Sequence, residues 1–96
     1  IEAYRLHSER VMNLEYRTVR ERVASFLVTH TERFGRKTSK GILLDAPIRR
    51  SDIAGSINAT RETTSRELSY LSKHGYILLG VNDITVTDID KLRELL

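Results

Sequence analysis

The sequence predicts a mainly α-helical domain closed by a small antiparallel β-wing, and three observations lead there. From Tyr4 to about His30 the chain has neither Pro nor Gly and carries apolar residues at helical spacing. Residues 50–74, RSDIAGSINATRETTSRELSYLSKH, read as two short helices around a three-residue joint. Beyond Gly75, the runs YILL and ITVT flank GVND, the pattern of a hairpin.

The elements follow in chain order. Met12, Tyr16, Val19, Val23, Phe26, Leu27 and His30 recur at steps of three and four, so they form one stripe of a long helix. Upstream, Ile1, Tyr4, Leu6 and Val11 make a looser set, and the first dozen residues are expected to pack elsewhere, on a partner chain. Arg33 to Gly41, RFGRKTSKG, holds two glycines and four basic residues without apolar periodicity and predicts a solvated loop. Ile42 to Ile48, ILLDAPI, is a short apolar run ended by Pro47 and predicts a brief strand or extended segment at a sheet edge.

Ile53, Ala54 and Ile57 then supply the buried face of a helix of about two turns. Asn58 stands where the chain must reverse, because asparagine tolerates the left-handed backbone better than most residues. Thr60 is a good N-cap for the next helix, on which Thr64, Leu68 and Leu71 point inward. Arg61, Glu62, Ser65, Arg66 and Ser69 are left outside. This order suits a helix-turn-helix, whose second helix can lie in the major groove of DNA. Gly75 ends that helix, and Asp88 caps a last one, DIDKLRELL, whose Ile89, Leu92, Leu95 and Leu96 are expected to return to the core.

Composition narrows the function classes. Ninety-six residues close one small core, and 40% hydrophobic with 30% charged residues is globular rather than disordered. Cysteine is absent, which excludes disulfides and thiolate sites within this chain. No apolar run approaches the roughly 18–20 residues of a membrane span, and no secretory leader is visible, so a cytoplasmic protein without membrane contact is expected. The chain opens on Ile1, and a fragment of a longer protein is expected. Residues 1–74 hold 14 Lys and Arg against 9 Asp and Glu, whereas residues 75–96 hold 2 against 4. The helical part is the basic side, which favours a polyanionic partner.

The stretch from Val11 to Leu96 resembles the C-terminal DNA-binding domain of the Crp–Fnr family of bacterial transcription regulators. The likeness rests on VRERVASFL at 19–27, the apolar-Pro-apolar step from Ala46 to Ile48, DIA at 52–54, TRETTSREL at 60–68 and LSKHGYI at 71–77. It implies a winged helix-turn-helix at residues 14–96, preceded at 1–13 by the end of a long dimerisation helix. It also implies a homodimer in the intact protein, double-stranded DNA with a near-palindromic operator as partner, and RNA polymerase as a candidate second partner. No cofactor is expected in this segment; an effector or cofactor would belong to an upstream sensor domain.

By position, the resemblance assigns Arg61, Glu62, Ser65 and Arg66 to base reading, and Arg50, Ser51 and Thr60 to the DNA backbone. Arg66 can donate two hydrogen bonds to guanine O6 and N7, and Glu62 can accept from cytosine N4 or adenine N6. The two are also spaced to form an i, i+4 ion pair. The half-site implied is TTGA-like, with a TGTGA-like half-site second. Three positions leave the family pattern: Arg49 where Thr or Ser caps the first helix, Asn58 where Gly is common, and Thr64 where Val or Ile is usual. Arg49 cannot cap, so Ser51 caps the helix or it starts without a side-chain cap, and Thr64 needs an acceptor, most simply a carbonyl one turn back.

Other readings are bounded by residue content. Arg36, Lys37 and Lys40 could approach phosphates, although a basic loop is more often merely solvated. The wing offers Asn82 and neither Lys nor Arg. His7, His30 and His74 lack metal-ligand spacing and read as surface or packing residues. No Gly-rich phosphate cradle, GxSxG or HExxH is present, so no enzyme is expected. The alternatives are a winged-helix module that binds protein, which needs an apolar outer face on the second helix, and a nonspecific DNA binder.

Overall fold

The computed structural model describes residues 18–44 and 49–96. The expected dimerisation helix at 1–13, the stripe residues Met12 and Tyr16, His7, and the Ala46–Ile48 step lie outside them.

Helix α1 spans Val19–Phe34. The expected helix from Tyr4 to His30 does not run unbroken through position 18: Thr18 is extended, at φ −65° and ψ 161°, and caps the helix that begins at Val19. Its hydroxyl accepts from the Glu21 N–H at 3.1 Å while the Glu21 carboxylate accepts from the Thr18 N–H at 3.2 Å, a reciprocal capping box. Val23, Ala24, Leu27, Val28 and Thr31 form the buried face, and the helix ends one turn later than the stripe suggested. The Thr31 hydroxyl donates to the Leu27 carbonyl at 2.7 Å, which lets a polar residue sit in that face.

The expected loop at 33–41 is instead the end of α1 and most of a hairpin. Strand β1, Gly35–Thr38, pairs antiparallel with β2, Gly41–Leu44, in the register Gly35 opposite Leu44 and Thr38 opposite Gly41. All of β1 is exposed, so it has no buried face to generate an apolar alternation. At the turn the Thr38 hydroxyl donates to the Gly41 carbonyl at 2.9 Å and accepts from the Lys40 N–H at 3.2 Å. Gly41 has φ +138°, and a β-carbon there would overlap the Val86 carbonyl and lie 2.9 Å from the Thr87 α-carbon. Gly41→Ala is therefore expected to destabilise the fold by at least about 1–3 kcal/mol, read as a lower midpoint of urea unfolding.

Helix α2 covers Arg50–Ile57 and α3 covers Arg61–Lys73. Asn58 between them is left-handed, at φ 56° and ψ 51°, as expected, and the Ala59 N–H returns to the Ala54 carbonyl at 3.0 Å. Past α3, Gly75 at φ +80° lets the Tyr76 N–H reach the Leu71 carbonyl at 2.9 Å, closing the helix end. Strands β3, Ile77–Leu79, and β4, Ile84–Val86, form the expected hairpin, closed by the Gly80 N–H on the Asp83 carbonyl at 2.9 Å. The sheet is larger than a two-stranded wing: β2 pairs with β4, placing Ile42 opposite Val86, and the order is β1-β2-β4-β3.

The last helix, α4, is shorter than expected, Ile89–Arg93, and the Asp88 carboxylate caps it through the Lys91 N–H at 3.1 Å. Leu92 is fully buried and Ile89 and Leu95 are partly so, but Leu96 stays about half exposed. It lies past the helix end, where the 3.6-residue spacing no longer aims it inward. One apolar core joins these parts: α1 packs against α2, α3 and α4, and Leu27, Ile53, Leu68, Leu71, Ile77 and Leu92 meet at its centre. The result is the expected mainly helical fold with a small antiparallel sheet.

Candidate nucleic-acid interface

Thr60 sets the start of α3. Its hydroxyl oxygen accepts from the Thr63 N–H at 3.1 Å and its O–H donates to the Thr63 hydroxyl at 2.9 Å. Removing the cap should cost the domain about 1 kcal/mol, so Thr60→Ala is expected to lower the thermal midpoint by several degrees. Thr64, fully buried, donates to the Thr60 carbonyl at 2.8 Å, the acceptor one turn back that its burial requires.

With Thr64, Leu68 and Leu71 fixed inside, α3 turns its other side outward. Arg61, Glu62, Arg66 and Ser69 are exposed and Ser65 is half-buried. The expected Glu62–Arg66 ion pair does not form. Arg66 instead donates from one Nη to the Thr63 hydroxyl at 3.2 Å, a shorter reach along the same helix. This tether uses one amine of a guanidinium that carries five donors and leaves the rest available.

Arg50 and Ser51 occupy the first turn of α2, both exposed. Arg49 at the N-cap contributes no side-chain cap; only the reciprocal half is present, the Asp52 carboxylate accepting from the Arg49 N–H at 3.1 Å. The helix therefore starts without a capping hydroxyl, and Ser51 does not supply one. This frees the Arg49 side chain for another surface.

That surface is a cleft of about 610 Å³ between α2, α3 and the wing. Arg49, Arg50, Ser51 and Arg61 line one side, the turn from Gly80 to Asp83 lines the other, and Leu68 lies among the lining residues. Three arginines and a single acidic residue, Asp83, are thus among the lining residues. Of the residues singled out in the sequence, Arg50, Ser51 and Arg61 converge here, whereas Glu62, Ser65 and Arg66 lie beyond the lining on the outer face of α3. Arg49 was missed as a cleft residue, although the Arg49–Arg50 pair at a helix start was its visible signal. The wing side is uncharged apart from Asp83: Val81, at the tip, is 98% exposed, and Asn82 supplies an amide.

The histidines among the described residues serve packing. His30 stacks on Phe26 with ring centroids 3.9 Å apart, and His74 meets Tyr70 at 4.1 Å. No group of three or more His, Cys, Asp or Glu among the described residues could hold a metal ion, and no helix among them is long and apolar enough to cross a membrane.

Comparison with known proteins gives this geometry its context. The Crp-like helix-turn-helix domain model matches residues 21–95. A probable transcriptional activator of Rhizobium leguminosarum bv. viciae is 35% identical over 92 residues, covering 92% of this chain and 37% of the relative. The transcriptional activator protein FnrL of Cereibacter sphaeroides is 33% identical over 91 residues, covering 90% and 37%. Among solved structures, a CooA mutant from Carboxydothermus hydrogenoformans aligns with a TM-score of 0.78 at 26% identity, over 98% of this chain and 49% of that one. A Crp/Fnr-family transcriptional regulator from Thermus thermophilus also reaches 0.78, at 27% identity over 98% and 46%. The chain thus spans 37% of the length of the curated relatives it matches, and those relatives are transcriptional activators rather than enzymes. With α2, Asn58 and α3 arranged as a helix-turn-helix beside a β-wing, and a family match across residues 21–95, the chain belongs to the Crp-like helix-turn-helix domain family of transcription regulators.

Proposed function

We propose that this domain binds double-stranded DNA sequence-specifically, with α3 in the major groove, as the reading end of a homodimeric regulator. The observation that carries the reading is the polar outer face at the start of α3, set beside a cleft lined by three arginines and closed by the wing. An apolar outer face would suit a protein partner; here the exposed positions are Arg61, Glu62, Arg66 and Ser69.

In this reading the jobs divide by position. Arg66 donates to guanine O6 and N7, and Glu62, one turn earlier, accepts from cytosine N4 or adenine N6. Ser65 faces the same edge from between them. Arg50, Ser51 and Thr60 contact phosphates, Thr60 where the free N–H groups of a helix start already favour an anion. Arg61, lining the cleft, takes a phosphate or a second base. A TTGA-like half-site ranks first and a TGTGA-like half-site second. Two such domains in a dimer would set their reading helices about 34 Å apart, one DNA turn. A cytoplasmic location, contact with RNA polymerase and an effector bound by an upstream sensor domain complete the proposal for the whole protein.

Selection of bound sequences from a random duplex pool tests it. Enrichment of a motif with a TGA core, and binding that weakens steeply between low and physiological salt, are the expected results. Recovery of no motif, with salt-insensitive binding to protein partners instead, would overturn the reading.

A further inference from the structure

The contact that fixes α3 against α1 is polar and directional. Arg20, the second residue of α1, donates from Nε to the Glu67 carboxylate at 2.9 Å, and its guanidinium lies over the Tyr70 ring, 3.5 Å from the centroid. Glu67 and Tyr70 are three residues apart on α3, so one side chain grips two neighbours on the same helical face. The buried residues of α3, Thr64, Leu68 and Leu71, pack largely through apolar contacts that have no preferred direction of their own. A charge-assisted hydrogen bond and a cation over a ring do have preferred directions. The pair is also partly sheltered, with Arg20 39% and Glu67 22% exposed, so salt screens it less than a pair in open solvent.

We infer that Arg20 is a positioning residue for DNA reading: through Glu67 and Tyr70 it sets the roll of α3, and so the aim of Arg66 and Glu62, without touching DNA itself. The inference rests on the DNA-binding reading above. Glu67 directly follows Arg66, so the gripped residue and the reading residue share one rigid turn. Reading geometry must hold to within about 0.5 Å, a tolerance that a small roll exceeds.

The test compares Arg20→Ala, Glu67→Ala and Arg20→Lys with the unaltered chain. Fluorescence anisotropy is read on the selected duplex and on a random duplex at one salt concentration, after circular dichroism has fixed the folded fraction. Charge alone would shift affinity for both duplexes together, down for Arg20→Ala and up for Glu67→Ala, and leave their ratio unchanged. Positioning predicts a change in that ratio: both should lower the selected-to-random ratio by about tenfold. Arg20→Lys, which keeps a cation near Glu67, should recover part of the loss.

A ratio that stays unchanged in both alanine variants, or that moves in opposite directions, overturns the inference. Amide hydrogen exchange decides the point without DNA: exchange along 62–70 should quicken in both alanine variants, and unaltered exchange there overturns the inference equally. Failure of the unaltered chain to prefer any duplex would instead count against the DNA-binding reading, leaving the clamp to be judged on exchange.

Discussion

Leu68→Ala should destabilise the domain by about 2–5 kcal/mol, measured as the shift in the midpoint of urea unfolding at constant slope. Leu68 is completely buried at the centre of the core, on the inward face of α3, and it also underlies the arginine-lined cleft. Alanine would remove most of an isobutyl group where Leu27, Ile53 and Leu71 belong to the same cluster, leaving a cavity that a tight core closes only in part. A domain of this length has roughly 5–14 kcal/mol to lose, so the change takes a large share of the total. Leu96→Ala provides the contrast. That side chain is half exposed beyond the last helix, and its loss should stay within about 0.5 kcal/mol. Equal effects at the two positions would mean that α3 does not pack on the core through Leu68.

Much of this architecture was legible because local chemistry and burial agree. Asn58 is left-handed where the chain reverses, Thr60 caps α3, and Thr64 finds its carbonyl one turn back. Each follows from a side chain acting on its own neighbourhood, which sequence shows directly. The failures are places where a local signal was outweighed or absent. The stripe through Met12, Tyr16 and Val19 hid the Thr18–Glu21 capping box, although both residues stand three apart as the motif requires. Strand β1 owes its existence to pairing with β2 and not to its own burial, so nothing in Gly35–Thr38 distinguishes it from a loop.

The candidate site divides in the same way. The outward set on α3 follows from the 3.6-residue period, but the cleft does not, because residues 49–51, 61 and 80–83 meet only after the wing folds back. The Arg20 clamp depends on the packing of α1 against α3, with its partners 47 positions apart in the chain. No spacing rule reaches that far. The Glu62–Arg66 pair shows the converse error: the spacing is right, yet the Thr63 hydroxyl is the nearer partner for Arg66.

Arg66→Ala should reduce affinity for the selected duplex by about 1–3 kcal/mol and relax preference at one base pair, leaving binding to random duplex nearly unchanged. The asymmetry follows from where the side chain stands. Arg66 is exposed on the outer face of α3, outside the cleft, and its tether to Thr63 keeps the guanidinium close to the helix, with donors to spare for a base edge. Arg50→Ala acts through another route. Arg50 lines the cleft with Arg49 and Arg61 and is proposed as a phosphate contact, so its loss should weaken binding to every sequence alike and lower the salt slope by about one. The two variants remove the same charge, and a purely electrostatic surface would make them equivalent. Titration of both against selected and random duplexes at several salt concentrations separates the cases. Equal losses for Arg66→Ala on both duplexes would reassign it from base reading to phosphate contact, whereas a selective loss ties sequence preference to the outer face of α3 and general affinity to the cleft beside it.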